Sequence, residues 1–128
     1  MAFAAALNQR LVVGIGLQGK AAEKTVRFTV ENLVQPGDEI VLVHVNVINP
    51  NYAATSASHV KQLKHMVAKR LAPVLDEHCV SFRVHTVHVT MPVFTSANPS
   101  SLVGDVLCTK AAEMHAAGVV SASGVGAQ

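Results

Sequence analysis

The chain has 128 residues, half of them hydrophobic, with ten Lys and Arg against eight Asp and Glu for a formal net charge of +2. That length suits a single domain, residues 1–128, with one self-sufficient core, and the charge is too slight to draw nucleic acid by field alone. No stretch approaches the ~20 apolar residues of a membrane span, and the apolar run within Met1–Asn8 is too short for a secretory signal, so the composition predicts a soluble, cytoplasmic protein.

In chain order, Leu11–Ile15 is continuously apolar and predicts a strand buried on both faces, as central parallel strands are. From Ala21 to Val34 the apolar residues Ala22, Val26, Val30, Leu33 and Val34 recur at helical spacing, with Glu23, Lys24, Arg27 and Glu31 elsewhere around the axis. Pro36 and Gly37 then stop the helix, and Ile40–Ile48 is a second, valine-rich strand. After the loop at Asn49–Asn51, a cap at Ser56 or Ser58 opens a second helix with Val60, Leu63, Val67, Leu71 and Val74 on one stripe. Pro73 interrupts that pattern and predicts a kink or an end near Leu71. Val80–Val89 alternates with Ser81, Arg83, His85 and His88, which suits an edge strand. The loop Met91–Asn98 leads to Pro99 in the first turn of a third helix bearing Leu102, Val103, Val106, Leu107, Ala111 and Met114, and Gly118–Ala122 is a short fourth strand. Strict alternation of strands and helices predicts an α/β fold with a mostly parallel sheet and right-handed crossovers.

The chemistry-bearing stretch is Leu11–Lys20, LVVGIGLQGK, where a strand breaks into Gly14, Gly16 and Gly19 and opens onto a helix. Strand, glycine turn and helix place backbone N–H groups and a positive dipole end at the carboxyl edge of a sheet, where phosphates bind. Gly14–Gly19 satisfies the dinucleotide pattern G-x-G-x-x-G, but Asn46, Val47, Ile48 and Asn49 occupy the strand end that should carry an acid for the ribose. Gly14–Lys20 also approaches a P-loop, with Ala21 where a magnesium-binding hydroxyl belongs. A ligand-free reading stands beside both: the glycines permit a tight turn and close helix packing. Lys20, in the first helical turn, opposes the dipole unless an anion neutralises both, or else extends its stem into water.

Three segments carry a resemblance that spans nearly the whole chain: Leu11–Ile15, then Gln35–Val45 (QPGDEIVLVHV), then Ala111–Val120 (AAEMHAAGVV). In this order and spacing they resemble the universal stress protein family, a branch of the adenine-nucleotide-binding α/β folds. The resemblance implies a three-layer, flavodoxin-like or Rossmann-like sandwich with strand order 3-2-1-4-5, of which this sequence supplies 3-2-1-4 with the fifth strand missing. It implies ATP or AMP held between the ends of strands one and four, adenine against Val45 and the first-strand loop, and phosphates at a glycine motif after strand four. Gly14, Gly16, Leu17, Lys20, Val45, Gly124 and Gly126 are the residues it nominates for that pocket. It also implies a homodimer or higher homo-oligomer. The chain departs from the family pattern where ATP-binding members carry an Asp after the first strand, since Gly16 stands there, and where the phosphate motif begins with Ser123 and runs out at Gln128.

Every carboxylate maps to a helix or to a turn entering a strand, so the expected cleft holds no acid to serve as a base or a metal ligand, and the expected role is binding rather than catalysis. His85 and His88 point to opposite faces of their strand, His59 and His65 diverge on a helix, and His44 reads as a satisfied core histidine. His78 and His115 sit near helix ends and complement the dipole. Lys61, Lys64, Lys69 and Arg70 make a basic helix face, either solvated or facing an acidic partner. The loop at Thr95–Ser100 offers hydroxyls and an amide to the cleft, or an Asn98 cap to the next helix. Cys79 and Cys108 lack metal-ligand spacing and read as small, reduced core residues.

Overall fold

A computed structural model describes residues 9–48, 56–90, 99–121 and 124–127. The elements are β1 (Arg10–Gly14), α1 (Gly19–Asn32), β2 (Glu39–Ile48), α2 (Ser56–Met66), a π-helical turn (Val67–Leu71), α3 (Ala72–Glu77), β3 (Ser81–Thr90), α4 (Pro99–Glu113), β4 (Gly118–Ser121) and β5 (Gly124–Ala127). The sheet runs β3-β2-β1-β4-β5, with β1 parallel to both β2 and β4, and β2 parallel to β3. This is the expected α/β sandwich and the expected 3-2-1-4 order. Central placement explains the unbroken apolar run of β1, where Val12 and Val13 are wholly buried.

The period-two alternation of the central strands feeds two cores. Val13, Ile15, Ile40, Leu42 and Val120 face α1 and the α2–α3 helical stretch, packing on Val26, Leu63, Leu71 and Leu75. Val12, Val41, Val43 and Val119 face α4 through Leu107 and Ala111. Each such side chain contributes about 1.5–3 kcal/mol by burial. The crossovers from β1 to β2 and from β2 to β3 therefore lie on one face and the crossover from β3 to β4 on the other. The sheet's winding reverses between β1 and β4, which opens a crevice at their carboxyl ends.

At the opposite end, Asp38 is buried and ties the chain together. Its Oδ1 accepts from the Gln9 N–H at 3.0 Å and its Oδ2 from the Gln35 N–H at 2.9 Å, joining the start of β1 to the turn that leaves α1.

One expectation is sharpened and two change. The interruption expected near Leu71 takes the form of a π-helical turn at Val67–Leu71: the Ala72 N–H reaches the Val67 carbonyl in a five-residue step, and the helical path resumes to Glu77. Pro73 then falls in the first turn of α3, directly after the widened turn. The fifth strand is present after all, as the antiparallel β5 with Ser121 opposite Gly124. Only Ala122 and Ser123 separate it from β4, which permits a hairpin return and excludes the long crossover a parallel neighbour needs. Cys79 and Cys108 are exposed rather than in the core. Cys79 closes α3 at φ 57°, and Cys108 lies on α4 between the inward-facing Leu107 and Ala111. The N-terminal run Met1–Asn8, the loops at Asn49–Asn51 and Met91–Asn98, and Ala122 and Ser123 lie outside the described residues.

Candidate functional site

The β1–α1 connection builds a cleft of about 340 Å³ at the carboxyl edge of the sheet, lined by Gly14, Gly16, Leu17, Gln18, Ala21 and Thr25 among others. Among the described residues no charged side chain lines it. Gln18 is the N-cap of α1, with β-region dihedrals, no side-chain capping bond, and no acid in the turn that follows. The Ala22 N–H opens the helical ladder by bonding to the Gln18 carbonyl at 3.0 Å. The N–H groups just ahead of it precede that ladder and present donors and a positive dipole end to the cleft mouth. Thr25 spends its hydroxyl on the Ala21 carbonyl at 3.0 Å, so it adds no donor.

The glycines answer to different constraints, and none of the three has positive φ. A Cβ on Gly14 would lie 2.6 Å from Leu107 Cδ1, so this glycine lets α4 approach the sheet. A Cβ on Gly19 would meet the Arg70 side chain, with Nε at 2.6 Å. Above Gly16 no atom of the described residues lies within 4 Å. Of the three, Gly16 alone leaves room for an incoming group.

Gly14, Gly16 and Leu17 thus line one cleft. Lys20 sits in the first turn of α1 with its side chain exposed, beside the cleft rather than in its lining. Val45 is half-buried on β2, packed on the α4 side of the sheet. Gly124 pairs with Ser121 at the carboxyl end of β4, on the cleft's level. Gly126 pairs with Val119, itself in register with Val12, and so lies back in the body of the sheet.

Two residues gain a place that sequence patterns did not give them. Arg70 leaves the π-helical turn and crosses Gly19, bringing a guanidinium beside the start of α1 while pairing with Glu23 at 3.5 Å. No spacing along the chain signals this, because it depends on how α1 and the π-turn pack. His44 is buried, and its Nδ1 donates to the Ile15 carbonyl at 3.0 Å, at the point where β1 enters the cleft loop. Its Nε2 is buried with no hydrogen-bond partner, so the core histidine is satisfied on one side only. Asn46 is buried and donates to His88 Nδ1 at 3.2 Å, bridging β2 and β3 where a ribose-binding acid would stand. His78 bonds back to the Val74 carbonyl at 2.9 Å, and His115 adopts φ 53° just after α4. Among the described residues no group of three or more His, Cys, Asp and Glu could hold a metal ion, and no helix is long and apolar enough to cross a membrane.

The sequence matches no protein-family model and no curated protein. The structure does find counterparts. It aligns with a universal stress protein from Archaeoglobus fulgidus at 16% identity and a TM-score of 0.57, covering 87% of this chain and 72% of that one. It aligns likewise with a protein of the universal stress protein family from Burkholderia pseudomallei at 14% identity and a TM-score of 0.59, covering 92% of this chain and 83% of the other. At this coverage and TM-score the chain has the fold of the universal stress proteins.

Proposed function

We propose that the protein is a non-catalytic, nucleotide-responsive binding module of the stress-protein type, taking ATP or AMP in the cleft between β1 and β4. The observation that carries this reading is the open space above Gly16, at the sheet's reversal point and beside an α1 N-terminus that has no side-chain cap and no acid in its first turn. Adenine packs against Val45 and the β1 loop. The phosphates lie toward Gly124 and the leading N–H groups of α1, with Lys20 alongside. Since Gly126 is held within β5, it supports that strand rather than touching the ligand. The setting is cytoplasmic, and the chain self-associates through its β5 edge, which pairs with β4 alone among the described residues.

Isothermal titration of the purified protein with ATP and AMP, with and without magnesium, tests the reading. Saturable heat supports it. Absence of heat together with absence of a thermal shift at millimolar ligand overturns it. A carboxylate at position 16 has room to form and would accept from a ribose hydroxyl, a charge-assisted bond of about 1.5–3 kcal/mol, so Gly16→Asp strengthens nucleotide binding by about tenfold or more. The second reading is a ligand-free interaction module of the same fold, favoured by the lack of any charged side chain in the cleft lining. It predicts a silent titration for both proteins and an oligomer that nucleotide does not perturb.

A further inference from the structure

At the sheet edge remote from β5, strand β3 and the helix beside it form a surface that nucleotide binding leaves unused. β3 is ten residues long and pairs only with β2, so among the described residues its outer backbone N–H and C=O groups face no neighbouring strand. Its side chains sort by face: Phe82, Val84 and Thr86 line a groove against the helices, while Arg83 and His85 fall on the face of Val87. The groove measures about 400 Å³ and is walled by Val60, Lys64, Ala68 and Ala72. Val84, in its floor, is 40% exposed. The two alanines leave the space that a larger side chain would fill. Among the described residues Lys64 is the one charged side chain lining the apolar trough, and Lys61 and Lys69 are exposed on the same helical stretch. Asp76 and Glu77, at the end of α3, are not in the lining.

We propose that this edge docks an extended acidic segment of a partner protein, which adds to β3 as a further strand. Strand addition satisfies the open backbone groups, and its two-residue period reads both faces at once. Alternate apolar side chains of the partner enter the groove beside Phe82 and Val84. The intervening carboxylates fall on the opposite face, beside Arg83, while acidic residues that flank the apolar pair on the groove face meet the lysines of the neighbouring helix. Among the described residues Arg83 is engaged by Glu39 alone, at 3.0 Å in an exposed pair, which leaves its remaining N–H groups for a second carboxylate. A second copy of the chain fits less well, because a two-fold interface puts Lys64 and Arg83 of each protomer on the shared side. The chain's own Met1–Asn8 is apolar but carries no acid, and would leave the basic rim unmatched.

The test is fluorescence anisotropy of a labelled decapeptide titrated with the full chain, against the same peptide with lysine for glutamate. The decapeptide has a valine-glutamate-phenylalanine centre and glutamate at its other positions, so that carboxylates flank the apolar pair on the groove face. The acidic peptide binds, and raising the salt from low to high ionic strength weakens it by about tenfold. Val84→Gln removes the apolar term and Lys64→Glu reverses a rim charge; each weakens binding by about tenfold, with circular dichroism confirming an unchanged fold. Equal binding of the two peptides, no binding of either, or wild-type affinity in both variants overturns the proposal. So does a dimer of the free chain that Val84→Gln dissociates, since the groove would then belong to a second copy.

Discussion

Gly14 and Gly16 are two residues apart and indistinguishable in the sequence, yet only one of them has a reason to be glycine that lies inside the fold. Leu107, 3% exposed, has nowhere to retreat from a methyl group on Gly14. Gly14→Ala therefore lowers unfolding free energy by about 1–3 kcal/mol in urea titrations, as overpacking does. Gly16→Ala, with open space around its Cβ, stays within about 0.5 kcal/mol of wild type. Asp38 makes a comparable point at the other end of the sheet. Sequence places it in a turn entering a strand, which is correct, but the turn alone does not reveal that its carboxylate holds two backbone N–H groups 29 and 3 residues away. Asp38→Ala leaves both unpaired by the side chain and costs about 1–3 kcal/mol, read from the same unfolding curves.

Among the elements, α1 shows what capping leaves open. Its apolar stripe placed the helix at Ala21–Val34, and it spans Gly19–Asn32, a shift of two residues toward the glycine turn. Stripes report which residues face the core; they say little about where a ladder begins. Gln18 at the N-cap makes no side-chain capping bond. Gln18→Asp supplies one and stabilises the protein by about 0.5–2 kcal/mol in denaturant titrations. The same charge competes for the helix N-terminus, so this more stable variant binds ATP more weakly than wild type in the calorimeter. The strands β1, β2 and β3 were legible because long valine-rich or alternating runs admit few other readings. β5 was not: Gly124–Ala127 has too little side chain for a pattern, and its existence depends on β4 lying alongside.

For the molecule as a whole, the order of elements and the reversal between β1 and β4 could be read from apolar periodicity and from the resemblance of Gln35–Val45 to a known family. The site was legible only along the chain. Gly14, Gly16 and Leu17 are contiguous and remain together, whereas Arg70 reaches Gly19 across 51 positions and Gly126 withdraws into the sheet. Binding should also be visible in global stability. At a nucleotide concentration a hundred times its Kd, the folded state gains about 2.7 kcal/mol, measurable as a rise in melting temperature that Gly16→Asp enlarges at lower ligand. The π-helical turn bears on the same architecture from another direction. Leu63, Met66 and Val67 are buried up to its first residue, and Leu71, Val74 and Leu75 repeat that triplet from its last, eight positions along. Two ordinary helical turns span only about 7.2 residues, so the wider turn absorbs the surplus, and Arg70 is left outside the core as a result. Removing one amino acid between the triplets would leave a spacing of seven, within about 20° of two ordinary turns, so the helix would close to regular α-geometry with both triplets still on the sheet. The eighth residue is thus a surplus that the helix carries without losing its buried face, and a one-residue gap at this point would cost the core little.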